Sequence, residues 1–443
     1  MYALMAVIFI AGYLLIACEH AVKIDKAATA ILTAVLAWTV LVLGVNHEAI
    51  PELRHQLGEI AEILFFLLGA MTIVELVDAH DGFSIITDSI RSRHKITLLW
   101  ILGFITFFLS AVLDNLTTTI VMVSLLRKLM PDQKERWLYA GIVVIAANAG
   151  GAWSPIGDVT TTMLWIGNQI SSVGIMKQLF IPSLVCLLIP LVLLSFKLTG
   201  EIKMAPLNKE GLEINKTKNP ATAFERHLIF ALGIGALLFV PVFKMLTHLP
   251  PYMGVLLGLS VLWVVTEVIH SSKNREDKYS LSVAGILRRV DTPTILFFLG
   301  ILLAVASLAT AGHLQQVAEF LHVHLGNVYA INVVIGLLSA IIDNVPLVAG
   351  AMHMYPLVSP DQLIATSNQM SWLQYFVSDG HFWELLAYCA GTGGSCLIIG
   401  SAAGVAAMGM EKINFFWYLK NISGLALLGY LGGVLVYMLQ VSL

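Results

Sequence analysis

Runs of roughly 17–25 apolar residues, each long enough to cross a bilayer as a helix, recur along this chain from Tyr2 to Val441. They leave it few ways to fold. Lipid offers no partner for a backbone N–H or C=O, so a crossing segment must satisfy its own, as a helix does. Of the 443 residues, 58% are apolar and 12% are charged. A soluble domain carries about 25% charged residues. The chain therefore reads as an all-α polytopic membrane protein. Its first run lacks a basic n-region and is followed by Glu19 and His20, so it is read as a retained span rather than a signal peptide. Cys18, Cys186, Cys389 and Cys396 have neither zinc-ligand nor disulfide-framework spacing. They are read as inert thiols.

Ten spans are expected, at about 2–18, 27–45, 59–77, 139–167, 176–197, 228–243, 252–270, 293–311, 382–408 and 414–440. Segments 96–126 and 326–357 remain, and each carries an acid and an amide mid-run. One reads Ser110-Ala111-Val112-Leu113-Asp114-Asn115. The other reads Ser339-Ala340-Ile341-Ile342-Asp343-Asn344, 229 positions on. Both are read as re-entrant hairpins, whose non-helical tips must be buried in protein or line a cavity. Charge supports this. With the N-terminus outside, 21 of the 25 Lys and Arg fall on the inner side. Arg54, Lys177 and Lys244 fall outside, and Lys420 lies in the last span. Basic residues favour the cytoplasmic side of short loops. Making either hairpin a full crossing would flip every later loop and destroy the bias.

The expected organisation is an inverted-topology repeat. Residues 1–198 form one half, with hairpin 96–126 and interrupted helix 139–167. Residues 199–226 are a polar cytoplasmic linker. Residues 227–443 form the second half, with hairpin 326–357 and interrupted helix 382–408. Such repeats place their cargo site near the midplane, where the halves meet.

Ionisable groups at that depth are costly and are read as functional. The first tip offers Asp114, Asn115, Thr117 and Thr118, and the second Ser339, Asp343 and Asn344. Carboxylate, amide and hydroxyl oxygens are the donors a small hard cation takes. The competing reading is a helix-capping Asp with no transport role. Interrupted helix 139–167 carries Asn148, Gly150-Gly151, Ser154-Pro155, Asp158, Thr160 and Thr161. Its counterpart carries Gly391-Thr392-Gly393-Gly394-Ser395, with Ser401 standing where the first half has Asp158. Glu62 and Glu75, on the third span, are either a proton relay or interfacial acids. Asp291, before Thr292-Pro293, reads as a helix cap. His313, His322 and His324 read as solvated residues of an outer loop.

Leu113-Asp114-Asn115 with Thr117-Thr118, the stretch from Asn148 through Asp158 to Thr161, and Ile342-Asp343-Asn344 together resemble the NhaD-type sodium/proton antiporters of the ion transporter superfamily. The resemblance implies a homodimer with a scaffold part and a transport part that carries the hairpins. It implies exchange of cytoplasmic Na⁺ or Li⁺ for external H⁺ in a bacterial inner membrane, with a periplasmic N-terminus. No cofactor, enzymatic activity or nucleic-acid partner is expected. Na⁺ would be held by Asp114, Asp158 and Asp343 with Asn115 and Asn344, and protons would compete for the same carboxylates. The alternative is a dicarboxylate or arsenite carrier on the same scaffold. Carboxylate-carrying relatives have Ser at the tip positions where this chain has Asp114 and Asp343, and an acid there repels an anion.

Overall fold

The computed structural model describes residues 2–17, 19–44, 49–87, 90, 92, 94–201, 220–359, 361–362 and 370–442. Most of the expected linker, and Cys18, lie outside the described residues. The main helices are α1 (Tyr2–Ala17), α2 (Lys26–Gly44), α3 (Ile50–Ala79), α4 (Lys95–Ser110), α5 (Asn115–Leu129) and α6 (Gln133–Ala152). There follow α7 (Val159–Ile166), α8 (Ser172–Ser195), α9 (Ala223–Thr247), α10 (Pro251–Ile269), α11 (Thr292–Thr310) and α12 (His313–Leu325). The last are α13 (Val328–Leu338), α14 (Asn344–Met354), α15 (His381–Gly393), α16 (Ala402–Glu411) and α17 (Ser423–Ser442). Among the described residues seven of these, α2, α3, α8, α9, α10, α11 and α17, are long and apolar enough to cross a membrane alone. The chain is an all-α polytopic membrane protein.

Local chemistry sets the helix ends. Thr222 and Glu225 form a reciprocal capping box on α9, with bonds of 3.2 and 2.7 Å. Asp291 caps α11 through the Thr294 N–H (3.2 Å) and hydroxyl (2.6 Å), and Pro293 fits that first turn because no N–H is needed there. One expectation needs correcting. His313, His322 and His324 sit on helix α12, not on a loop. Gly312 and Gly326, both at positive φ, bracket it, and apolar Leu314, Val317, Ala318 and Leu321 give it a helical stripe. It meets α13 at 118°.

The helices sort into two packed groups. In the first, α2 lies along α11 and α1, while α3 packs on α10, α11 and α9. In the second, α8 lies along α17, α4 and α5 flank α6, α13 lies on α15, and α16 packs on α5 and α6. The groups meet where α11 packs on α14 and α3 on α7. At one end of the first group His80 is buried. Its Nδ1 is 2.7 Å from the Leu76 carbonyl and its Nε2 3.4 Å from His270 Nε2. Burial is the main reason its imidazole is held below the ordinary range.

Segment α4–α5 enters the second group and returns to the same end. Lys95, at the start of α4, binds Glu135 at the start of α6 (2.5 Å). Arg127, at the end of α5, and Arg136, near the start of α6, share the buried carboxylate of Glu411 at 2.7 and 2.9 Å. Between them the tip reaches the far part of α6, where the Ser110 hydroxyl donates to the Ala147 carbonyl (2.6 Å). Segment α13–α14 does the same against α15. Asn332 donates to the Phe382 carbonyl (3.1 Å) near its start. Tyr355, just past its end, stacks on Phe376 and meets Phe382 edge-on at 4.9 and 4.7 Å between ring centres. Its tip is pinned by the Ser339 hydroxyl on the Ala390 carbonyl (2.7 Å). Both tips lie hard against their helices. A Cβ at Gly150 would overlap the Phe107 carbonyl, and one at Gly393 the Gly336 carbonyl.

Candidate functional site

Four helix N-termini converge where the two tips meet the two breaks, and three are capped by acids. Asp114 caps α5, accepting from the Thr117 N–H and hydroxyl at 2.7 Å each. Asp158 caps α7, accepting from the Thr160 N–H (2.9 Å) and hydroxyl (2.8 Å). Asp343 caps α14 through the Val345 N–H (3.3 Å). On α16 the cap is Ser401, accepting from the Gly404 N–H (3.1 Å). Capping therefore describes the geometry of all three acids, and it leaves further lone pairs on each carboxylate.

Amides tie these caps together. Asn115 donates to Asp158 Oδ2 (2.6 Å) and to Asn148 Oδ1 (3.1 Å). Asn344, from the other tip, donates to Asp158 Oδ1 (3.4 Å). Asn148 donates to the hydroxyls of Ser395 and Ser401, at 2.9 Å each. Asp158 is thus held by an amide from each hairpin and is 1% exposed, whereas Asp114 and Asp343 are half-buried. The three are close enough for Asp114 and Asp343 to repel the charge on Asp158. Among the described residues none of them is in a salt bridge. A buried carboxylate without a cationic partner invites a cation or a proton.

The structure brings most of the sequence-derived residues together. Ser154 and Thr161 donate to main-chain carbonyls, of Ala111 (2.5 Å) and Asp158 (2.9 Å). Like Ser339, they brace the breaks. The Thr118 hydroxyl is buried and finds no hydrogen-bond partner among the described residues. Glu62 and Glu75 stand apart from the carboxylates. Glu62 lines a cavity of about 920 Å³ with Glu52, Glu59 and Asn168. Glu75 lines one of about 320 Å³ with Asp78, Lys128 and Arg289. Asp114, Asp158 and Asp343 share a third, of about 440 Å³, which reaches Glu19, Asp25 and Asp291 at the start of α2 and α11. Met71, Leu116, Thr117 and Asp291 line both smaller cavities. Sequence reasoning left Ser401 and Tyr13 out of the site. Ser401 had a signal, its alignment with Asp158. Tyr13, on α1 and beside Asp343, had none, because only packing places α1 there. Among the described residues no three His, Cys, Asp or Glu side chains are grouped to hold a metal ion.

Residues 7–373 match the citrate transporter family model. The chain is 52% identical over 436 residues to Sodium/proton antiporter 1 of Arabidopsis thaliana, covering 98% of this chain and 72% of that protein. It is 49% identical over 440 residues to Sodium/proton antiporter 2 of the same plant, covering 98% of each. It is 31% identical over 464 residues to the Na(+)/H(+) antiporter NhaD of Vibrio cholerae, covering 98% of this chain and 90% of that protein.

Proposed function

The chain belongs to the NhaD-type sodium/proton antiporters of the ion transporter superfamily, and from that premise we propose that it exchanges Na⁺ for H⁺ across a membrane by competition at Asp114, Asp158 and Asp343. The observation that carries the mechanism is one buried carboxylate, Asp158, held by an amide from each hairpin tip and flanked by two half-buried acids that have no cationic partner among the described residues. Either Na⁺ or protons neutralise this set. The uncompensated site is expensive to carry past an apolar barrier, and either form of neutralisation lowers that cost. Asn115, Asn148, Asn344, Thr117, Thr118, Thr160 and Ser395 supply neutral oxygens around the charge. Ser154, Thr161 and Ser339 hold the breaks that present it.

The two packed groups suit division of labour. The group of α1, α2, α3, α9, α10 and α11 serves as scaffold, and the group with hairpins and broken helices carries the ion. The halves related by the hairpin contacts are read as inverted repeats. In the orientation given by the basic residues, the cavity at the three acids opens to the cytoplasm, and that at Glu62 to the outside. Li⁺ follows Na⁺ as cargo, and the protein works as a homodimer. A bacterial inner membrane with a periplasmic N-terminus suits the NhaD relatives, and the identity to plant proteins extends the same scaffold to other membranes. An anion carrier is disfavoured. Three of the four converging N-termini are already capped by carboxylates, so their positive dipole ends are not free for an anion.

The test is ΔpH dequenching in everted vesicles from antiporter-deficient cells on addition of NaCl, LiCl or KCl. Na⁺ and Li⁺ should dissipate the gradient, and Asp343→Asn and Asp158→Asn should abolish this while the protein still reaches the membrane. Wild-type exchange by either variant would sink the shared-carboxylate mechanism.

A further inference from the structure

Lys244 is one of three basic residues left on the outer side by the charge map, and the structure gives it a specific task. It sits near the outer end of α9, in the scaffold group. Its ammonium donates to the main-chain carbonyl of Trp165 (2.7 Å) and to Asn168 Oδ1 (3.3 Å), and it lies over the Trp165 ring at 4.8 Å. Trp165 is in the last turn of α7, in the ion-carrying group. The contact therefore crosses between the groups. A cation at a helix C-terminus meets the negative end of the dipole, and a charged donor makes a short, strong bond. The other end of α7 is Asp158. One eight-residue helix has the central acid at its N-terminus and a scaffold lysine clamped on its C-terminus.

We propose that Lys244 is a positioning residue for the exchange reaction, an outer latch that holds α7 while the site faces the cytoplasm. For the ion-carrying group to move outward the ammonium must leave the Trp165 carbonyl. Glu62, on scaffold helix α3, interacts electrostatically with Lys244 and lines the same outer cavity as Asn168. It receives the released charge, so the lysine is never left unpaired. This rests on the two-group reading above.

Met352 is half-buried in that cavity beside Gly167, one residue past α7, so the labelling rate of Met352→Cys follows how far the already open cavity widens when α7 leaves Lys244. The full-length protein in right-side-out vesicles would be labelled with a membrane-impermeant maleimide, against a background parent that keeps Met352. Lys244→Met should speed labelling about tenfold, the change expected from losing one hydrogen bond by a charged donor. Lys244→Arg, which keeps charge and donors, should label within about twofold of the Met352→Cys chain with Lys244 intact. Asn168 has a positive φ that Asp also tolerates. Asn168→Asp adds an acid beside the ammonium and should slow labelling. Unchanged labelling in Lys244→Met overturns the latch, and so does equal speeding in Lys244→Arg, which would make the effect one of packing. If Lys244→Met does not reach the membrane, Asn168→Asp decides, and labelling that is not slowed overturns the proposal. Labelling needs no ion gradient. A chain that labels as expected but does not exchange Na⁺ keeps the latch and loses the cargo assignment.

Discussion

Asn148 is the residue on which most of the site depends, although it carries no charge. It accepts from Asn115 and donates to Ser395 and Ser401, so one side chain joins the first tip, the first broken helix and the second break. It is fully buried. Each partner left unsatisfied in a dry interior costs about 1–3 kcal/mol. Asn148→Ala should therefore lower the melting temperature in detergent and raise the KM for Na⁺ at least tenfold, because Asn115 would lose one of the bonds that orients it toward Asp158. A thermal scan and a Na⁺ titration of dequenching read the two effects. Normal KM with lowered stability would confine Asn148 to architecture. Its buried place was legible in the sequence as an amide beside Gly150-Gly151 inside an apolar run. Its three partners were not, since they come from segments up to 253 positions away.

At the scale of elements, three independent signals in the sequence agree on hairpins and broken helices. The acid-amide pairs fall mid-run, Gly and Pro break the helical ladder, and the basic residues keep their side only if both segments return. The expected breaks fall where the helices stop, at 153–158 and 394–401. What periodicity could not show was α12, where bracketing glycines and an apolar stripe form a helix across a stretch polar enough to read as loop. Nor could it show which glycines are there for close approach. Gly393 ends α15 at its break and Gly235 lies inside α9, and sequence does not show how closely either is approached. A Cβ at Gly393 would overlap the Gly336 carbonyl, while at Gly235 it would meet none of the described residues beyond its own turn of helix within 4 Å. Gly393→Ala should push the second hairpin off α15, break the Ser339 to Ala390 bond and lose most folded protein from the membrane. Gly235→Ala should be neutral or stabilising, by up to about 1 kcal/mol. Quantified membrane yield and thermal stability of the pair check this. Equal behaviour would mean that the tip does not need its close seat.

At the scale of the whole molecule, the question is how protons reach carboxylates that face one cavity at a time. Glu62 and Glu75 lie on one helix, 13 residues apart, and a rise of about 1.5 Å per residue puts roughly 20 Å between them. They line separate cavities, neither of which contains Asp158 or Asp343. The Glu75 cavity meets the ion cavity only along Met71, Leu116, Thr117 and Asp291, and Thr117 is the residue whose hydroxyl donates to Asp114. This layout gives Glu75 a way to carry a proton from Asp114 to the cytoplasm without touching Na⁺. The two acids then act at opposite ends of the cycle, and neither belongs to the binding set. Glu75→Gln should therefore lower the maximal exchange rate in everted vesicles and leave the KM for Na⁺ within about twofold, the signature of a lost transfer step rather than lost binding. Thr117→Val should lower the rate in the same way and add little to Glu75→Gln in the double variant, because residues acting in one chain are not additive. A large rise in the KM for Na⁺ in Glu75→Gln would move that acid into the ion site. Additive losses in the double variant would separate it from Asp114, and the proton would then have to leave through the same cavity by which the cation enters.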